Sequence, residues 1–232
     1  MKKTNTQEQG GFMNTRRQIL NDNSSFSVQE AYKTLRTNVR FFLREGNCKR
    51  FCITSPAAGE GKSITLLNLA ISIAETGRKV LLIDADMRRP AMARLLVEKA
   101  TPGLSNVLAG LLPFQEAVRK QMYPNLDILL SGDVPPNPAE LLCSESLQAL
   151  IDQATQEYDY ILVDTPPVNV VSDACIVANV LDGVLLLVRQ KRSRKDAIKK
   201  AVSQLQLTGA RVLGFVLNGA TLDEHKNYGY YQ

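Results

Sequence analysis

Short apolar runs recur along the chain at 51–54, 80–84, 126–131, 160–164, 184–188 and 212–217. Several are apolar at nearly every position, as in VLLI at 80–83, ILV at 161–163 and VLLLV at 184–188. A strand with one wet face alternates apolar and polar residues; a strand covered on both faces does not. Between the runs lie stretches with helical periodicity, at 62–75, 144–156, 174–180 and 194–205, and shorter ones at 91–97, 104–109 and 114–120. Strands alternating with helices at this spacing predict an α/β fold, a doubly wound and mostly parallel sheet.

The ends differ from this pattern. Residues 1–27 are polar and aperiodic and read as a flexible arm. Residues 28–45 place Tyr32, Leu35, Val39 and Phe42 at helical spacing and predict an amphipathic helix. That helix and everything up to 220 form the expected domain. Residues 221–232 are a polar tail ending in three tyrosines, Tyr228, Tyr230 and Tyr231.

Composition narrows the class. The 232 residues are 44% hydrophobic and 22% charged, with 28 Lys+Arg against 23 Asp+Glu. These values exclude disordered, collagen-like and disulfide-dense chains. No apolar run approaches the ~18–20 residues that span a bilayer, and the basic N-terminus has no apolar stretch behind it to make a signal peptide. Cys48, Cys52, Cys143 and Cys175 show no CxxC spacing, and the only histidine is His225. A zinc site is therefore not expected, and the thiols are expected to be reduced in a cytoplasmic protein. Charge is uneven: residues 1–50 carry ten basic and four acidic side chains. A second basic run spans Arg189, Lys191, Arg192, Arg194 and Lys195. Such runs attract phosphates, anionic lipid or acidic partners, or simply face water.

The strongest chemical signal is TSPAAGEGKS at 54–63, between an apolar run and a helical one. Glycines let backbone N–H groups approach an anion closely, and a helix N-terminus adds unpaired donors. Lys62 and Ser63 are the residue types that reach β/γ-phosphates and ligate Mg²⁺. The usual spacing puts a first glycine at position 56, where this chain has Pro56.

Two further apolar runs end in carboxylates: Asp84 and Asp86 after the first, Asp164 after the second. The C-terminal strand edges of an open parallel sheet line its ligand crevice. A single Asp there commonly caps the next helix. Three beside a phosphate loop instead suit a Mg²⁺-nucleotide, with one carboxylate left to accept a proton.

In combination TSPAAGEGKS, LLIDADMRRP and ILVDTPP resemble the Walker A, A′ and B motifs of bacterial tyrosine kinases (BY-kinases). The type is the separate cytoplasmic kinase of capsule and exopolysaccharide systems, CpsD- or CapB-like, on a P-loop scaffold related to the MinD/ParA ATPases. The resemblance covers about residue 28 to the end. Ala58 departs from the proline usual in that loop. The resemblance implies an ATP-dependent protein-tyrosine kinase with ATP and Mg²⁺ as cofactors. Nucleotide contacts would come from Gly59, Glu60, Gly61, Lys62, Ser63 and Ile64, and from Asn218 at the base. Ser63, Asp86 and Asp164 would hold the metal, directly or through water. Asp84 would be the base that orients the tyrosine, in a role it could exchange with Asp86. Arg88 and Arg89 would stabilise phosphate charge or form surface salt bridges.

The resemblance also implies autophosphorylation in trans of Tyr228, Tyr230 and Tyr231. Glu30, Lys33 and Arg36 resemble the family's EX2RX2R oligomerisation motif, with Lys33 at its first arginine, and imply a ring-like homo-oligomer. Implied partners are a membrane activator of polysaccharide co-polymerase type acting in trans, protein tyrosine substrates and a tyrosine phosphatase, but no nucleic acid. The protein would be cytoplasmic and recruited to the inner face of the membrane. The competing reading is a MinD/ParA-like nucleotide switch whose output is partner binding. Against it stand Ala57, where those proteins carry a signature lysine, and the tyrosine-rich tail.

Overall fold

The computed structural model describes residues 19–42 and 49–220. Its described strands are β1 (Lys49–Thr54), β2 (Val80–Asp84), β3 (Arg119–Tyr123), β4 (Leu126–Leu129), β5 (Tyr160–Asp164), β6 (Gly183–Arg189) and β7 (Val212–Asn218). They form one sheet in the order β3-β4-β2-β5-β1-β6-β7. All neighbours are parallel except β3, which runs antiparallel to β4. The described helices are α1 (Phe26–Phe42), α2 (Lys62–Ala74), α3 (Met92–Leu96), α4 (Leu104–Leu108), α5 (Phe114–Ala117), α6 (Pro138–Leu142), α7 (Glu145–Ala154), α8 (Asp173–Ala178) and α9 (Lys195–Leu207).

The sheet has a core on each face, which is why its central strands are apolar throughout. Phe51, Ile53, Val80, Leu82 and Leu162 pack with α2 and with Val39 of α1. Cys52, Leu81, Ile83, Ile161 and Val163 point the other way, towards α4 through α9. Most of these side chains are wholly buried, and burying each Leu or Ile is worth roughly 1.5–3 kcal/mol. A doubly wound α/β fold is thus what the chain adopts.

Chain order sets where ligands go. β5 inserts between β2 and β1, so the three strands that precede the candidate motifs lie side by side. Asp84 and Asp164 are register partners, and so are Ile53 and Asp164. The strand ends followed by the phosphate loop and by both acidic segments therefore meet at one rim, where strand order reverses.

Three local expectations are corrected. The helix expected at 114–120 ends at Ala117, and β3 follows as a polar edge strand. Helix α6 occupies a proline-rich stretch for which the sequence pattern predicts no element. The arm expected to run to residue 27 does not: Ile19 and Leu20 are buried, the Leu20 amide donates to Asn68 Oδ1 at 2.9 Å, and α1 begins at Phe26.

Candidate functional site

The phosphate loop leaves β1 through Thr54 and Ser55, both fully buried. Gly59 and Gly61 have φ of 73° and 99°, a region that L side chains avoid. Gly61 is also the N-cap of α2 and offers no capping side chain. The first amides of α2 thus keep their donors for an anion. Lys62 is 7% exposed and Ser63 follows on the first turn. Ile64 lies next to Gly61, 3.8 Å from where a Cβ would stand. Glu60 is buried beneath the loop.

The three aspartates gather beside Lys62. Asp84 is fully buried, and its Oδ1 and Oδ2 accept the amides of Asp86 and Met92 at 3.1 and 3.3 Å. Burial, then the charges of Asp164 and Asp86, hold its carboxyl well above the ordinary range. Asp86 is 9% exposed, and its Oδ1 accepts the Arg89 amide at 3.0 Å. Burial raises its carboxyl, opposed by that amide and by the Lys62 charge. Asp164 is fully buried, and neither of its carboxylate oxygens has a hydrogen-bond partner. Burial pushes its carboxyl up to about 6 despite the Lys62 charge and the nearby Ser63 hydroxyl, which falls short of regular hydrogen-bond geometry.

Like charges so placed repel unless protons or cations intervene. The orphaned oxygens of Asp164 suit a cation or its water shell. Among the described residues, no group of three or more His, Cys, Asp or Glu is arranged to hold a metal unaided. An ion would therefore draw on phosphate oxygens, the Ser63 hydroxyl and water as well, the habit of Mg²⁺.

Residues 48–208 match the AAA domain family. The chain is 42% identical over 202 residues to tyrosine-protein kinase YwqD of Bacillus subtilis (strain 168), covering 87% of this chain and 85% of that protein. The chain belongs to the bacterial tyrosine-protein kinase family. Among solved structures it is similar to the kinase domain of the Escherichia coli tyrosine kinase ETK, at 33% identity and a TM-score of 0.83 over 91% of this chain and 83% of that one. The septum site-determining protein MinD of Pyrococcus horikoshii OT3, complexed with Mg-ADP, shares 27% identity and a TM-score of 0.63 over 73% and 70% of the two chains. The kinase therefore has a P-loop NTPase fold and binds nucleotide.

Other candidate residues fall in varied places. Arg88 reaches across to Asp173 of α8 and grips it with two parallel bonds, Nε to Oδ2 at 2.8 Å and Nη2 to Oδ1 at 3.1 Å. Asp173 has no exposed side-chain surface, so this kinase ties the segment after β2 to α8 through a buried carboxylate. Nothing in the local sequence around 173 announces that partnership. Asn218 lies at the phosphate loop, where its Nδ2 donates to the Glu60 carbonyl at 2.8 Å. On α1, Glu30 and Lys33 pair with each other at 2.8 Å. Arg36 turns inward and donates to the Ser72 carbonyl at 2.5 Å and the Ser72 hydroxyl at 3.2 Å. Tyr228, Tyr230 and Tyr231 lie outside the described residues, as does Cys48.

Proposed function

We propose that this kinase transfers the γ-phosphoryl group of Mg-ATP to tyrosines 228, 230 and 231 of a neighbouring copy. The single observation that carries the reading is the gathering of Lys62 and three raised-pKa aspartates at the rim where the glycine loop meets α2. The amides of Gly59–Ser63 and the Lys62 ammonium hold the phosphates. Ser63, Asp86 and Asp164 are the side chains for Mg²⁺. When bound, that ion would neutralise charge on the phosphate oxygens and so ease attack at the γ-phosphorus.

In the transfer, the tyrosine oxygen bonds to the γ-phosphorus, the bond to the β–γ bridging oxygen breaks, and ADP departs. The hydroxyl proton goes to a carboxylate. Asp84 has the raised affinity that suits a proton acceptor, whereas Asp86 is the less buried of the two and the one a hydroxyl reaches first. Ring assembly through Glu30 and Lys33 of α1, with Arg36 released from Ser72, would bring each tail to the next subunit's site. Each added phosphate brings ~1.5–2 negative charges, so a multiply phosphorylated tail would leave a site already rich in anions. By family, the output is control of capsule or exopolysaccharide synthesis, with a membrane activator in trans and a tyrosine phosphatase resetting the cycle. No helix of the described residues is long and apolar enough to cross a membrane. Such an activator would recruit the kinase to the inner face of the membrane.

The similarity to MinD keeps a second reading in play, a nucleotide switch whose output is binding. Mixing two chains, one lacking the catalytic lysine and the other lacking the acceptors, separates the two. A Lys62→Met chain with an intact tail is mixed with a chain whose tail tyrosines are Phe, and Mg-ATP is added. Transfer in trans puts phosphotyrosine on the Lys62→Met tail, read by mass spectrometry. Phosphotyrosine in the parent but none in the mixture refutes transfer between subunits. ATP consumption by the parent without any phosphotyrosine favours the switch.

A further inference from the structure

The second basic run finds its place against the phosphate loop. Arg189 Nη1, from the last residue of β6, and Arg192 Nη1, from the turn that follows, each donate to the Gly59 carbonyl at 3.2 Å. The Ser193 hydroxyl donates to the Glu60 carboxylate and accepts the Arg189 amide at 2.7 Å. Asn218, at the end of β7, donates to the Glu60 carbonyl. The other Glu60 carboxylate oxygen accepts the Ala57 amide at 3.3 Å, which closes the loop on itself. A Cβ at Gly59 would come 3.1 Å from Arg192 Nη2, so the guanidinium lies directly over the loop.

We propose that Arg189, Arg192, Ser193 and Asn218 are positioning residues that hold the phosphate loop in its anion-binding shape before nucleotide arrives. A loop that turns its amides inward must turn carbonyls outward, and outward carbonyls need donors. Here two consecutive carbonyls, of Gly59 and Glu60, receive them from elements more than a hundred residues away in sequence. The need is acute in this chain, because Pro56 replaces the usual first glycine and both remaining glycines sit at positive φ. A loop ordered in advance spends less binding energy on ordering itself, and its affinity rises accordingly. The inference rests on residues 59–63 being the phosphate cradle.

The test uses the full chain in three forms: Arg189→Ala with Arg192→Ala, Ser193→Ala, and Ser193→Thr, which keeps the hydroxyl. Two properties are read, the backbone ¹⁵N order parameters of Gly59 and Gly61 without nucleotide and the Kd for Mg-ADP by calorimetry. In the first two variants the order parameters should fall from about 0.85 towards 0.6. Mg-ADP should bind about tenfold more weakly, the scale of one or two lost hydrogen bonds. The KM for ATP in phosphotyrosine formation should rise with kcat nearly unchanged, and Ser193→Thr should behave as the parent. Weakened binding with unchanged order parameters would overturn the proposal, because the arginines would then act on the nucleotide directly. Unchanged binding and order would overturn it as well. Lys62→Met separates the underlying reading: if that variant binds Mg-ADP as the parent does, the cradle assignment fails, while the brace is still judged by the order parameters alone.

Discussion

Replacing Asp164 with Asn should stabilise the nucleotide-free kinase at neutral pH while abolishing its activity. Asp164 is fully buried without hydrogen-bond partners, and its carboxyl is raised from 3.8 to about 6. In the unfolded chain the group titrates at its ordinary value. Between those two values the folded protein holds the proton more firmly than the unfolded one does. The contribution of Asp164 is therefore most favourable in acid and is lost as pH rises through about 6. A shift of roughly two units at ~1.4 kcal/mol each puts the destabilisation at neutral pH on the order of 3 kcal/mol. Asn removes the charge but leaves a polar amide in the same place, so a net gain of ~1–2 kcal/mol is expected. At ~2–4 °C per kcal/mol for a chain of this size, Tm should rise by roughly 3–6 °C. Removing the Asp164 charge also relieves Asp84, whose raised carboxyl owes part of its shift to that neighbour. Thermal melts of parent and variant, without nucleotide, between about pH 4 and pH 8 measure the effect. The gap should be widest at the alkaline end and close towards about pH 4, where both forms are neutral. Saturating Mg-nucleotide should raise the parent's Tm more than the variant's. A variant that melts below the parent at pH 8, or a gap that ignores pH, would refute the reasoning.

Other substitutions follow from the same geometry. Gly61→Ala forces a side chain into positive φ and into the Asn218 amide; nucleotide affinity by calorimetry should fall by at least tenfold, and parental affinity would contradict the loop geometry. Arg88→Ala strips a buried carboxylate of its fork, with an expected loss of ~1–3 kcal/mol in urea unfolding, reduced from the fully buried case because Arg88 opens to water. Arg88→Lys should recover only part of that loss, since an ammonium cannot make two parallel bonds; full recovery would show that charge alone matters. At subsaturating Mg²⁺, phosphotyrosine formation by the parent should decline below about pH 6, because a proton on Asp164 competes with the ion, and excess Mg²⁺ should restore it; an acid decline that excess Mg²⁺ does not relieve would remove Asp164 from the metal set.

The sheet was legible because its inner strands are apolar on both faces, and β2 and β5 begin and end where the sequence pattern places them. Strand β3 was not, because Arg119-Lys120-Gln121 is an edge sequence whose only signature is the partner it pairs with. Helix α6 was hidden by prolines at 135, 136 and 138, which read as loop although Pro138 sits comfortably in a first turn. At the site, Asp84 and Asp164 end apolar runs, Asp86 follows two residues on, and Lys62 and Ser63 close a glycine loop that opens the next helical stretch, so local sequence exposed them. The Arg88–Asp173 fork and the brace on Gly59 and Glu60 join residues 85 to 158 positions apart. Only the strand order brings such partners together. Arg36 shows the opposite case, a residue whose motif suggested an outward role and whose side chain is engaged with α2 in the single chain.

The activity outcomes all rest on the Lys62 loop and its aspartates moving phosphate onto tyrosine. Purified protein incubated with Mg-ATP and probed for phosphotyrosine, beside Lys62→Met and Asp164→Asn, measures this directly. Signal is expected from the parent and from neither variant, although both fold. Phosphotyrosine that persists in Lys62→Met, or its absence from a parent that still consumes ATP, would contradict it.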